Sequence, residues 1–213
     1  MRRYFHDAAV LARKDVLLEL RGRETLPAMA LFVLAGLVVF HFAVPTDESE
    51  AVGAGLLWVV ILFTAMLALV RAFVPEREQR LMDGLLLAPC DRSAIWLGKS
   101  LAVLAVLALT ELVALPAYEL FFGGLGWTTV AAVCLANVGI VTVGTLLAAM
   151  ASVTRSRELL LPLLFLPLAI PIVVGGVGAS VADDPGRYLG FLALYDVVFA
   201  IISWASFEYV VSE

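Results

Sequence analysis

Apolar residues in this chain come in long uninterrupted runs, and polar residues collect in the short gaps between them. A helix that crosses a bilayer needs about 20 mostly apolar residues. Six windows reach that length: roughly 25–44, 51–74, 94–121, 127–152, 159–180 and 188–210. The gaps carry turn-forming residues, with "PTDESE" after the first window, "FGGLGW" after the third and "ADDPGR" after the fifth. The pattern predicts an all-α integral membrane protein with six transmembrane helices.

Residues 1–24 follow a different rule. Phe5, Ala9, Ala12, Val16 and Leu20 recur at spacings of four, three, four and four, while Arg, Lys, Asp and Glu fill the other faces. The spacing predicts an amphipathic helix lying in the cytoplasmic membrane interface. A solvated tail is the alternative, since two of the five apolar positions are only alanines. The segment is too charged for a cleaved signal peptide.

Composition agrees with the spans. The chain is 62% hydrophobic, with 15% charged residues against about 25% in soluble domains. The net charge of −5 matters less than where the basic residues fall. Of the fourteen Lys and Arg, six precede the first span, five lie between spans two and three, two lie between spans four and five, and Arg187 alone falls in the opposite set of loops. Asp47, Glu48, Glu50, Asp183 and Asp184 occupy those opposite loops. The positive-inside bias therefore places both termini in the cytoplasm. Cys90 and Cys134 form no recognisable disulfide or metal motif.

The gap between spans two and three is longer than a connection requires, and it is patterned. In "EREQRLMD", Glu76, Arg77, Glu78, Arg80, Leu81 and Asp83 mix signs at helical spacing, and Glu76 can meet Arg80 at i, i+4. Gly84 is the predicted end of that helix. Leu85, Leu86 and Leu87 are apolar enough to dip back towards the membrane. Asp91 or Ser93 then caps the third span, which leaves Gly98 and Lys99 in its first turns. This describes a short cytoplasmic helix and turn offered to a partner. The plainer alternative is a loop whose charges only obey the positive-inside rule. "SAIWLGKS" imitates the end of a phosphate-binding loop, but Ser93 stands where that motif needs glycine. The sequence shows no nucleotide-binding motif of its own, so any ATP used is expected to be bound by another subunit. No catalytic motif supports a membrane enzyme, and His6 and His41 fall on opposite sides of the bilayer.

Ionisable groups inside the spans need a reason, because one near the bilayer centre costs about 2.5–3.5 kcal/mol on insertion scales. Glu111 lies roughly 20 Å into the third span at 1.5 Å per residue. Asp196, entering from the other side, reaches a similar depth. Glu119 and His41 sit nearer the outer ends of their spans. These four form either a polar patch in the outer half of the bundle or a set of separate interhelical hydrogen bonds. The fifth span contains Pro162, Pro167 and Pro171, followed by Gly175, Gly176 and Gly178. It reads as a kinked, closely packed helix, static or mobile.

Three stretches together resemble the CcmB family, the membrane subunit of the ABC-type system for cytochrome c maturation. They are "LALVRAFVPEREQRLMDGLLLAP", with Arg71, Gly84, Leu87 and Pro89 in place, "DRSAIWLGKSLA", and "RELLLPLLFLPLAIPIVV". The likeness thins after about residue 180. The resemblance implies an ABC-2-type permease whose charged gap is a coupling helix, with Glu76, Arg77, Glu78, Arg80, Leu81, Asp83, Gly84 and Leu87 against a separate CcmA-like ATPase. It implies two copies of each subunit, CcmC-like and CcmD-like membrane partners, a CcmE-like haem chaperone, and the bacterial inner membrane. Haem is then a transient substrate rather than a bound cofactor, ATP is held by the partner, and nucleic acid has no part. Two alternatives remain: an ABC-2-type exporter permease for a lipid, polysaccharide or drug, and a scaffold that only anchors other proteins.

Overall fold

The computed structural model describes residues 2–22, 25–44, 49–72, 91–152 and 157–212. Among them every element is an α-helix: α1 (Arg2–Gly22), α2 (Thr25–Ala43), α3 (Ser49–Arg71), α4 (Arg92–Phe122), α5 (Trp127–Ser152), α6 (Arg157–Val181) and α7 (Pro185–Ser212). The last six are each long and apolar enough to cross a bilayer, which makes the chain an all-α multi-pass membrane protein. Four helices start before their apolar windows, two of them for clear local reasons. Asp91 caps α4 by accepting from the Ser93 backbone N–H at 3.0 Å. Pro185 opens α7, where its missing N–H costs nothing.

α5 is the most enclosed span and packs against α6 and α7, whereas α2 is the most exposed. Between helices in lipid, burial of apolar surface supplies little drive, so close van der Waals contact carries the association. Glycines provide that closeness. Gly144 of α5 lies under the Leu69 side chain of α3, and a Cβ on Gly176 of α6 would overlap the Trp58 indole of α3. Trp58 is 1% exposed, and its indole N–H donates across to Ser180 Oγ at 3.2 Å. Large apolar side chains such as Phe42, Leu112, Leu163 and Leu194 point outward, as lipid contact requires.

α6 runs unbroken through Pro162, Pro167 and Pro171. A side chain of α7 reaches its backbone near the third proline. Tyr195 of α7 donates its hydroxyl to the Leu168 carbonyl at 2.8 Å, three residues before Pro171. Several hydroxyls in the spans are satisfied by their own helix, as with Thr64 on Val60 O, Thr110 on Val106 O and Thr145 on Val141 O.

α1 lies along α4 and shows two different faces. Ala8 is 1% exposed and Leu11 packs on the core, with both set against Gly98, where a Cβ would come within 2.8 Å of Leu11 Cβ and 2.9 Å of the Ala8 carbonyl oxygen. The apolar stripe expected to meet the membrane faces away from the bundle, with Phe5 and Leu20 exposed. The helix therefore has one side for the bundle and one left for lipid or a partner.

Candidate functional site

Glu76, Arg77, Glu78, Arg80, Leu81, Asp83, Gly84 and Leu87 lie outside the described residues. What the structure describes is the frame to which their segment is attached. On the leaving side stands the Asp91 cap, whose carboxylate also accepts from Ser93 Oγ at 2.8 Å. On the entering side, Lys99 donates from Nζ to the Ala72 carbonyl at 2.9 Å. Both anchors belong to the first turns of α4, so this one helix fixes both ends of the charged segment.

Lys99 also holds α1. Its Nζ lies 2.9 Å from Asp15 Oδ2, and Lys14 Nζ lies 2.9 Å from Asp15 Oδ1. Lys99 is 4% exposed and the Asp15 side chain 11%, so this is a largely desolvated ion pair, costly to leave half-made. Beside it, Arg71 at the end of α3 donates from Nη1 to Thr25 Oγ1 at the start of α2, 2.8 Å away. These two contacts, which line one pocket, tie α1 to α4 and the end of α3 to the start of α2.

The four intramembrane candidates separate into two pairs. Glu111 and Asp196 are both buried and both meet α5. Asn137 donates from Nδ2 to Glu111 Oε2 at 2.6 Å. Gly139, two residues further, leaves room for Asp196, whose Oδ1 would lie 2.7 Å from a Cβ there. Two residues along a helix are only about 3 Å of rise but about 200° of rotation. Glu111 and Asp196 therefore share a level, with α5 standing between them. A small cavity of ≈ 10 Å³ borders Glu111 beside Thr64 and Thr110, about the space of one water. Glu111 Oε1, Asn137 Oδ1 and both Asp196 oxygens are buried without a hydrogen bond among the described residues.

Glu119 and His41 lie at the other end of the bundle from Lys99, away from that level. Glu119 is exposed and accepts from the Leu125 backbone N–H at 2.7 Å. It thereby closes the turn in which Gly123 and Gly124 adopt φ of 72° and 74°, the left-handed region that glycine occupies without strain. His41 is exposed within a cluster of rings, 5.4 Å from Phe121 and 5.8 Å from Phe122 between centroids. The structure assigns Glu119 a turn and His41 an aromatic end cluster, and brings neither to Glu111.

Three participants escaped sequence reasoning: Asn137, Gly139 and Asp15. Asn137 had a visible signal, as a lone amide in an apolar run whose side chain must find a partner. Asp15 had a weaker one. Ala8, Leu11, Asp15 and Glu19, spaced three, four and four, trace the face that turns to α4, but two carboxylates hide it from a search for apolar stripes.

Comparison with known proteins agrees with this architecture. A family model described as CcmB protein matches residues 6–207. A protein of Bradyrhizobium diazoefficiens named heme exporter protein B is 30% identical over 198 residues, covering 91% of this chain and 89% of the relative. A protein of the same name from Paracoccus denitrificans is 30% identical over 175 residues, covering 78% of this chain and 80% of its own. The match runs from α1 into α7, across all six spans and the charged segment, and the chain belongs to the CcmB family.

Proposed function

We propose that this chain is the membrane permease subunit of an ABC-type complex for haem handling in cytochrome c maturation. It is not itself an enzyme. A separate CcmA-like ATPase turns over ATP, and the charged segment between α3 and α4 is the contact through which that turnover moves the spans. In this reading two copies of each subunit work with CcmC-like and CcmD-like proteins in the bacterial inner membrane, both termini are cytoplasmic, and the stroke delivers haem or releases a haem-loaded CcmE-like chaperone. The observation that carries the coupling part is the placement of Lys99, bound to Ala72 O on one side and Asp15 on the other. A push on a segment held at both ends by α4 passes directly into α4 and α1. The haem part rests on the names of the two relatives.

The test of the contact is charge reversal at Glu76, Arg77 and Arg80 together. The reversed chain should insert normally and lose the ATPase on co-purification. Unchanged co-purification would remove the coupling role from this segment.

A further inference from the structure

The ion pair at the start of α4 borders a pocket that the coupling role does not use. Its volume is ≈ 50 Å³, and Asp15, Glu19, Thr25, Arg71 and Lys99 stand around its polar part. Ala68, three residues deeper on α3 than Arg71, and Val103 and Val106, four and seven residues deeper on α4 than Lys99, line its apolar part. Seven residues of helix are about 10 Å. Polarity in the pocket therefore falls along the bundle axis, as it does from a membrane surface towards its interior.

The charges divide into satisfied and unsatisfied groups. Asp15 and Lys99 hold each other, and Lys99 holds Ala72 O as well. Glu19 differs, because it has no ion pair among the described residues and its Oε1 is buried without a hydrogen-bond partner there. Arg71 is an exposed residue whose guanidinium carries five N–H donors, and among the described residues one of them is used, on Thr25. No ion pair joins Glu19 to Arg71 among the described residues, although both line the same pocket. An unpaired carboxylate and a donor-rich cation around one cleft, above an apolar floor, suit an amphiphile that carries both charges.

We propose that this pocket binds the headgroup of a zwitterionic aminophospholipid of the phosphatidylethanolamine type. Its primary ammonium donates to Glu19, its phosphate accepts from Arg71, and the start of its acyl region lies along Val103 and Val106. A purely anionic lipid would leave Glu19 facing like charge. A quaternary headgroup carries the same net charge but has no N–H to donate. The proposal rests on the reading that α2–α7 cross a bilayer with this end at its surface, and it does not depend on what the complex transports.

The test is native mass spectrometry of the full chain in detergent, titrated in turn with phosphatidylethanolamine, phosphatidylcholine and phosphatidylglycerol of one chain composition, and with water-soluble phosphoethanolamine. The wild-type chain should retain phosphatidylethanolamine about tenfold better than phosphatidylcholine, the effect of one charge-assisted hydrogen bond. Glu19→Gln should bring the two close together, and Arg71→Gln should weaken both. Equal retention of the two zwitterionic lipids by the wild-type chain, a preference for phosphatidylglycerol, or an unchanged preference in Glu19→Gln would overturn the headgroup assignment. Displacement of the lipid by equimolar phosphoethanolamine would overturn the membrane-lipid assignment. Co-purification of the ATPase is read separately, so a failure here is distinct from a failure of the coupling contact.

Discussion

Lys99 Nζ lies 2.9 Å from Asp15 Oδ2, which places a nearly buried ion pair between α1 and the second turn of α4. The pair joins the N-terminal helix to the helix that frames the charged segment. Removing Lys99 as Lys99→Met strands Asp15 with Lys14 as its remaining cation and frees Ala72 O. The cost should be about 1–3 kcal/mol, that of a buried polar group losing its partner. Thermal unfolding in detergent should show the loss, and Asp15→Asn should show a smaller one. A wild-type transition in Lys99→Met would mean that the ion pair contributes nothing to holding α1.

Glu111 and Asn137 form a hydrogen bond inside the bundle, and their variants should separate function from insertion. Glu111→Gln keeps an acceptor for Asn137 and removes an ionisable group, so insertion should be unimpaired. Cytochrome c levels should nonetheless fall, and Asp196→Asn should lower them too. Asn137→Leu removes the donor and leaves the Glu111 carboxyl alone, at about 1–3 kcal/mol of stability. Normal cytochrome c in both amide variants would leave the level shared by Glu111 and Asp196 without a function.

Gly139 is the counterpart of that test on the other side of α5. An alanine there must displace Asp196 Oδ1, which would lie 2.7 Å from the new Cβ, and it also crowds Ile172 at 3.2 Å and Tyr195 at 3.3 Å. Overpacking of this kind costs about 1–3 kcal/mol. Gly190→Ala, with nothing within 4 Å of its Cβ, is the matched control and should unfold like the wild type or slightly later. Equal behaviour of the two variants would contradict the close approach of Asp196 to α5.

Glu119→Gln should be nearly silent. The side chain is exposed, and the amide oxygen can still accept from the Leu125 N–H. Cytochrome c levels close to wild type, beside a clear loss in Glu111→Gln, would fit the different surroundings of two carboxylates in one helix. A loss as large as that of Glu111→Gln would show that the turn does more than close.

The sequence made some of these features legible and hid others for physical reasons. The spans were visible because a bilayer requires long apolar runs, and the start of α4 was visible because Asp91 is a good cap before such a run. Depth along a helix follows from residue counting, which is why Glu111 and Asp196 were expected at one level. Rotation about the axis does not follow from counting, so α5 standing between them was not legible. Nor was the packed face of α1. Apolar spacing marks Phe5, Ala9, Ala12, Val16 and Leu20, the face expected at the membrane, whereas the bundle takes Ala8, Leu11 and Asp15, because Gly98 admits a close backbone and Lys99 neutralises a carboxylate. Glu119 and His41 looked like members of a polar patch because sequence distance to a span end is a poor guide to what a side chain touches there.

The central claim is that this chain passes ATP turnover by a partner into haem handling. The most direct measurement is ATP hydrolysis by the co-purified complex of this chain and its CcmA-like ATPase, with and without haem-loaded CcmE-like chaperone. The account predicts turnover that responds to the loaded chaperone, and loss of that response in Lys99→Met while the complex stays intact. A stable complex whose turnover ignores both haem and chaperone would contradict the haem reading and favour export of another substrate. Failure to form a complex at all would contradict the coupling claim itself.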